Sequence, residues 1–219
     1  MSIGFYGDSY CATIGRDSAC PTYLKRLATH YNTNIVHTGH PGSSVGDVIL
    51  TQLPSLPHPD ICIFVWTDVA RLFHSEIRTI NAASANQSSG DIWDAAKQYY
   101  KYLYDHCFAT IQYRALLEYI DNHVLSKFSE HIKIIHLWAF DPQPEYYRWK
   151  TGVEIRPALH KVATAPVDPM EQVDNLLATS PNHLGGVERN TLVFDWIKEA
   201  IDNYASGTLL TKEINYEQH

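Results

Sequence analysis

Basic residues are scarce in this chain of 219 residues. Lysine and arginine number 17 against 24 aspartates and glutamates, which gives a formal net charge of −7 with histidine neutral. Charged residues make up 19% of the sequence, below the roughly 25% of an average soluble domain. Because neutralising the phosphates of a nucleic acid requires clustered lysine and arginine, we expect no nucleic-acid partner.

Long apolar runs and an export signal are also missing. The longest apolar stretches fall well short of the roughly 20 residues that span a bilayer, so we expect no membrane-spanning helix and no membrane partner. The N-terminus, Met-Ser-Ile-Gly-Phe-Tyr, has neither a positively charged start nor a long apolar segment. These features predict a cytoplasmic protein.

The four cysteines show no metal-binding pattern. Cys11, Cys20, Cys62 and Cys107 are scattered along the chain, with no Cys-x-x-Cys pair. We expect free thiols, and the alternative is a disulfide between Cys11 and Cys20 in an exported protein. The 12 histidines include no HExxH motif, so the sequence predicts no metal site.

What the chain does contain is an alternation of short apolar segments and amphipathic patterns. Strands are predicted at 2–6, 34–37, 60–66 and 132–140, with an edge strand near 153–159. Helices are predicted at 21–31, 45–53, most of 91–128, and 187–204. Residues 79–90 have the composition of an exposed loop. Strands that alternate with helices predict an α/β fold with a parallel sheet covered on both faces.

The same pattern gives the domain organisation. We expect a single domain over residues 1–206, with a helical insertion at about 91–128 and a long loop at 141–180. Residues 207–219 are predicted to form a C-terminal tail.

Parallel sheets place their sites at the carboxyl ends of their strands. The first predicted strand ends in Gly7, Asp8 and Ser9. A serine at this turn is exposed at the sheet edge, and nearby backbone amides can stabilise an oxyanion. The alternative is a plain turn in which Asp8 or Ser9 caps a helix.

Three further segments lead to the same edge. Gly42 follows the second strand and lacks a side chain, so its amide can approach a substrate closely. Thr67, Asp68 and Arg71 follow the third strand, where they could equally cap a helix. Before the last helix stands His183, whose neutral imidazole could act as a general base, although a histidine in this position is often structural.

The order of these segments resembles the SGNH (GDSL-like) hydrolase superfamily, and the resemblance covers nearly the whole chain. The Gly-Asp-Ser signature is intact at Gly7 to Ser9, the second-block glycine matches Gly42, and His183 is followed by Leu-Gly-Gly and an amphipathic helix. The resemblance implies a three-layer α/β/α sandwich, flavodoxin-like, with a central parallel sheet of about five strands. It also implies acyl-ester hydrolysis.

On this resemblance Ser9 is the nucleophile and His183 takes its proton. The oxyanion hole consists of the amides of Ser9 and Gly42 together with Thr67. No metal or organic cofactor is implied. The substrate is a short acyl ester of a small molecule or a glycan.

The chain departs from the family pattern in two blocks. Thr67 stands where the third block usually has an asparagine that donates to the oxyanion, and Arg71 could compensate as a cation at the same edge. Ser180 stands where the last block usually has an aspartate, so a carboxylate from elsewhere, such as Asp168 or Asp174, or a backbone carbonyl must orient His183. The supporting candidates are Asp8, Asp68, Arg71, Ser180 and Asn182.

These departures keep other functions open. The first alternative is a non-catalytic module on the same fold that binds a glycan or a protein. The second is an acyltransferase or thioesterase that uses the same serine. The aromatic faces of the insertion could also pack against a second copy of the chain in a homo-oligomer. SGNH domains encoded by phages are similar in size and in their third block, which would place the protein on a virion.

Overall fold

The computed structural model describes residues 1–12, 22–54, 58–141, 147–164, 184 and 186–214. Its strands are β1 (Ser2–Gly7), β2 (Asn34–His37), β3 (Ile61–Trp66), β4 (Leu72–His74), β5 (Arg78–Ile80), β6 (Lys133–Trp138), β7 (Val153–Arg156) and β8 (Thr208–Thr211). Within these ranges one sheet has six strands in the order β2-β1-β3-β6-β7-β8, and every neighbouring pair is parallel. β4 and β5 form a separate antiparallel hairpin. The expected α/β fold with a parallel sheet is confirmed, with six strands instead of about five.

Most of the helices lie close to their predicted positions, and two of them, Ala82–Gln87 and Leu159–Thr164, lie in segments that were expected to be loops. They are α1 (Tyr23–His30), α2 (Val45–Asp47), α3 (Ala82–Gln87), α4 (Asp91–Gln98), α5 (His106–Tyr119), α6 (Leu159–Thr164) and α7 (Val187–Asp202). Wider π-type turns extend α2, α4 and α5 as Val48–Gln52, Tyr99–Leu103 and Ile120–Val124, and the last of these leads into a 3₁₀ turn at Leu125–Lys127. A 3₁₀ turn at Ser9–Cys11 follows β1.

Alternate residues of the central strands pack on opposite sides of the sheet. Phe5 and Ile63 belong to a core cluster that includes residues of α1, α6 and α7. Tyr6 and Phe64 belong to a second cluster with residues of α2 and α5. Each fully buried side chain of this size contributes about 1.5–3 kcal/mol to folding. Burial on both faces is the reason why β3 is a continuous apolar run.

A buried histidine lies inside the second cluster. His136 of β6 stacks on Trp149 with a ring-centroid distance of 3.9 Å. Its Nδ1 accepts from Trp66 Nε1 at 3.0 Å, and its Nε2 donates to the carbonyl of Thr151 at 2.7 Å. Burial lowers the pKa of His136 to about 3, so this side chain is neutral in the folded protein near neutral pH.

Two sequence predictions need correction at the edges of the fold. Residues 79–90, expected to be a loop, contain the end of β5 and helix α3, because the Asn81 and Ser84 side chains each accept from the other's backbone amide in a capping box. The segment beyond residue 206, expected to be a tail, supplies β8 as the sheet's last strand. Its half-buried Leu210 packs against the first core cluster.

Because β8 is the last strand of the sheet, β7 is not an edge strand. The predicted edge strand at 153–159 is real over Val153–Arg156, but it lies between β6 and β8. The segment 141–180, expected to be a long loop, contains strand β7 and helix α6. A four-residue strand carries too little periodicity for the sequence to place it within the sheet.

Two further expectations concern membranes and thiols. In the ranges that the structure describes, no helix combines the length and the apolar character needed to cross a bilayer. Cys11, Cys62 and Cys107 are free thiols, as predicted. Cys20 lies outside the described residues.

Candidate active site

The sheet order places a crevice at the carboxyl end of β1. The chain runs from β1 to β2 on one side and then crosses to β3 on the other, so strand order reverses at β1. Ligand sites of open parallel sheets lie at such a reversal, because the loops diverge there. Ser9, Gly42 and Arg71 follow β1, β2 and β3 respectively, so all three segments reach this edge.

The turn that carries Ser9 is shaped by its two neighbours. Gly7 has φ +144°, and a Cβ there would lie 2.3 Å from the carbonyl oxygen of Val65, so only glycine fits. The Asp8 carboxylate accepts from the amide of Tyr10 at 3.1 Å and caps the 3₁₀ turn. Ser9 is the first residue of that turn and is half-buried. The capping role considered for Asp8 is therefore confirmed.

Two backbone amides at this edge have no acceptor among the residues that the structure describes. Within the described residues, neither the N–H of Ser9 nor that of Gly42 donates a hydrogen bond. Gly42 has φ +77° in a turn closed by a 3.1 Å bond from Ser43 N to the carbonyl of His40. No atom lies within 4 Å of where its Cβ would be, so this residue borders open space. Unpaired amides beside a serine are the donors that an oxyanion requires.

The loop after β2 is bound directly to the serine turn. His40 N donates to the carbonyl of Gly7 at 2.9 Å, and Gly39 N donates to that of Cys11 at 3.0 Å. A Cβ on Gly39 would lie 2.5 Å from Cys11 Sγ and 2.6 Å from the Gly7 oxygen. A glycine at 39 is thus what allows the Gly42 turn to approach Ser9.

The Gln52 side chain hydrogen-bonds to both of these segments, at Gly7 and at Ser43. Its Oε1 accepts from Gly7 N at 2.8 Å, and its Nε2 lies 3.1 Å from the Gly7 oxygen and 2.6 Å from Ser43 Oγ. The fully buried side chain thereby satisfies both backbone groups of Gly7. Sequence reasoning missed this role, although a polar residue on the apolar face of a predicted helix was a signal for it.

A histidine–carboxylate pair lies beside Gln52. His40 Nδ1 is 3.2 Å from Asp47 Oδ2, and the hydroxyls of Ser43 and Thr51 also donate to Asp47. Burial acts to raise the pKa of Asp47, but hydrogen bonds from Ser43, Thr51, Gln52 and His40 outweigh it and leave the pKa below its usual value. His40 Nδ1 also lies 3.2 Å from Arg78 Nη1. The sequence analysis did not single out either member of this pair.

Asp8 is a buried carboxylate with a cationic partner. Its side chain is inaccessible to solvent and lies 3.2 Å from Arg71 Nη1. Burial raises the pKa of Asp8, and the charge of Arg71 acts in the opposite direction. Thr67 Oγ1 donates to Asp8 Oδ2 at 3.4 Å, so the carboxylate engages this hydroxyl in the structure, and the oxyanion role predicted for it stays a prediction. We therefore leave Thr67 out of the proposed oxyanion hole.

The remaining third-block candidates have different positions. Asp68 is exposed and accepts from Ala70 N at 2.9 Å, so it shapes the turn that leads to Arg71. The Arg71 guanidinium lies 5.4 Å from the ring centroid of Phe140, which stacks on His160 at 5.8 Å. Aromatic rings therefore pack against the Arg71 side chain.

The last predicted block is not part of the described structure. Ser180, Asn182 and His183 lie outside the described residues, as do Asp168 and Asp174. The pairing of Ser9 with His183 therefore stays a prediction. Within the described ranges, no group of three or more His, Cys, Asp or Glu side chains is arranged to hold a metal ion.

Comparisons with protein-family models, with curated proteins and with solved structures find no match to this chain. The function is therefore argued from the residues and their geometry.

Proposed function

We propose that the protein is a serine esterase of the SGNH type that removes a short acyl group, such as acetyl, from a small-molecule or glycan ester. The observation that carries the proposal is the position of Ser9 at the strand-order reversal, in a turn that is hydrogen-bonded to the loop carrying Gly42 through His40 N and Gly39 N. The main-sheet order β2-β1-β3-β6-β7-β8 becomes 2-1-3-4-5-6 when its six strands are numbered without the hairpin, and it extends the flavodoxin-like order 2-1-3-4-5, which supports this fold family.

The proposed reaction uses this chain's own groups. Ser9 Oγ attacks the ester carbonyl while His183 accepts its proton, and the amides of Ser9 and Gly42 donate to the developing oxyanion. His183 returns the proton to the leaving alcohol, which leaves an acyl group on Ser9. His183 then removes a proton from water as the water attacks the acyl carbonyl, and it returns that proton to Ser9 Oγ when the acyl–oxygen bond breaks and the acid leaves.

The second candidate function is a binding module on the same fold. It is favoured by the engagement of the Thr67 hydroxyl with Asp8 and by Ser180 in place of an aspartate. An acyltransferase or thioesterase would use the same serine and differ only in the acceptor or the leaving group.

A series of acyl esters tests the proposal on the unmodified protein. p-Nitrophenyl acetate, butyrate and octanoate are offered at equal concentration, and product release is followed in a spectrophotometer. We expect saturable turnover that is at least about tenfold faster for acetate than for octanoate, because a pocket that fits an acetyl group has no room for the six further carbons of an octanoyl chain. An added alcohol acceptor separates hydrolysis from acyl transfer by its products.

The result that contradicts the proposal is the absence of turnover from a folded protein. Saturable binding to a glycan array under the same conditions would then establish the binding-module alternative.

A further inference from the structure

One side chain connects the two segments that carry the proposed oxyanion donors. Arg71 Nη1 lies 3.2 Å from Asp8 Oδ2 and 3.0 Å from the carbonyl oxygen of Ser43. Asp8 directly precedes Ser9, and Ser43 directly follows Gly42. A single nitrogen therefore links the side chain of the residue before Ser9 to the carbonyl of the residue after Gly42.

The environment of Arg71 fixes its orientation. Its side chain is only 13% exposed, and its guanidinium lies over the ring of Phe140 at 5.4 Å. Stacking on an aromatic face constrains a planar guanidinium in a way that it cannot constrain an ammonium. The charge of Arg71 is balanced by Asp8, so the pair presents no excess charge for a substrate anion.

The backbone around Arg71 is held from both sides. Its own amide donates to the carbonyl of Asp68 at 3.3 Å, and Tyr100 Oη donates to the carbonyl of Ala70 at 2.6 Å. Beyond Arg71 the β4–β5 hairpin returns to the same loop, where Thr79 Oγ1 accepts from Ser44 N at 3.0 Å. The base of the Arg71 side chain is thus fixed relative to the segment that it binds.

We propose that Arg71 is a positioning residue that holds the Gly42 amide against the Ser9 amide, so that both point at one oxyanion. The inference rests on the proposed esterase function. It differs from the direct donation of a third-block asparagine, because Arg71 acts through Asp8 and the Ser43 carbonyl. Two fixed amides then compensate in part for the donor that the third block lacks.

The test compares Arg71→Met, Arg71→Lys and the double variant Asp8→Asn/Arg71→Met with the unmodified protein. Arg148→Met is the matched control, since Arg148 is an exposed arginine outside the loops that follow β1, β2 and β3. Two quantities are measured: the maximal rate and the half-saturating concentration for phosphonylation of Ser9 by a fluorophosphonate, and hydrogen exchange of peptides covering residues 8–12 and 39–46.

For Arg71→Met we expect the maximal labelling rate to fall by about 100-fold, the lower end of the effect of removing one oxyanion donor. The half-saturating concentration should change by less than about threefold, because the loss is confined to the transition state. Arg71→Lys should recover part of the rate. The double variant should melt at a higher temperature than Arg71→Met, because an asparagine at position 8 leaves no unpaired buried charge. Its labelling rate should stay as low as that of Arg71→Met.

Hydrogen exchange in residues 39–46 should be faster in Arg71→Met and unchanged in Arg148→Met. An Arg71→Met protein that labels at the rate of the unmodified protein overturns the inference, as does a double variant whose labelling rate recovers with its melting temperature. Failure of the unmodified protein to label contradicts the esterase proposal instead. The exchange data then decide the role of Arg71, because unchanged protection of residues 39–46 overturns it.

Discussion

Replacing Ser9 by alanine lowers hydrolysis of p-nitrophenyl acetate by at least about 1000-fold on this account, because no other group at the β1 edge takes over the nucleophile's role. His183→Ala is expected to cause a loss of the same order. The two losses should not add: groups that act as one unit give a double variant about as impaired as either single variant. Circular dichroism and the melting temperature check that each variant is folded.

The matched control for His183 is His40. Its backbone is bound to Gly7 at the same sheet edge, but its Nδ1 is taken up by Asp47 and Arg78. We expect His40→Ala to retain activity within about tenfold, since it removes neither the nucleophile nor the proposed base. If His40→Ala loses activity as Ser9→Ala does and His183→Ala retains it, the assignment of the base is wrong.

A second large effect is expected from His136 when the protein is acidified. Its pKa is about 3 in the folded protein against an ordinary value of 6.5, so between these two pH values the unfolded chain binds one more proton at this residue. The free energy of unfolding therefore falls as the pH decreases from 6.5 towards 3, by about 1.4 kcal/mol per pH unit from this residue. Above pH 6.5 the residue adds no pH dependence.

His136→Phe isolates this contribution. The variant should be less stable than the unmodified protein at pH 7, because Trp66 Nε1 and the Thr151 carbonyl lose their buried partner. Its denaturant midpoint should fall less steeply between pH 6.5 and 4. The exposed His131→Phe serves as a control and should follow the unmodified protein. Parallel pH curves for His136→Phe and the unmodified protein contradict this prediction.

The sequence predicted those parts of the fold that depend on local pattern. β3 and β6 are continuous apolar runs because both faces of their strands are covered, and that burial leaves a signal in the sequence itself. The position of Ser9 at a strand end followed from the same pattern. Strand β8 was missed because its four residues carry too little alternation to predict a strand. Its pairing with β7, which only the structure shows, is what identifies it.

The contacts inside the site could not be predicted in this way. Arg71 and Asp8 are 63 residues apart, and Gln52 and Gly7 are 45 apart. Each pair meets only because parallel strands bring distant loops to one edge, and no local periodicity encodes which polar group faces which. The contact of the Thr67 hydroxyl with Asp8, 59 residues away in sequence, is of the same kind, and the oxyanion role of Thr67 stays a prediction.

The account's central claim is that Ser9 is an activated nucleophile, and its most direct test is to locate a covalent adduct. The unmodified protein is treated with a fluorophosphonate, digested and mapped by mass spectrometry, with a sample unfolded in urea treated in parallel. We predict one phosphonyl group on Ser9 in the folded protein and none after unfolding. A folded protein with no adduct, or with an adduct on a different serine, contradicts the claim.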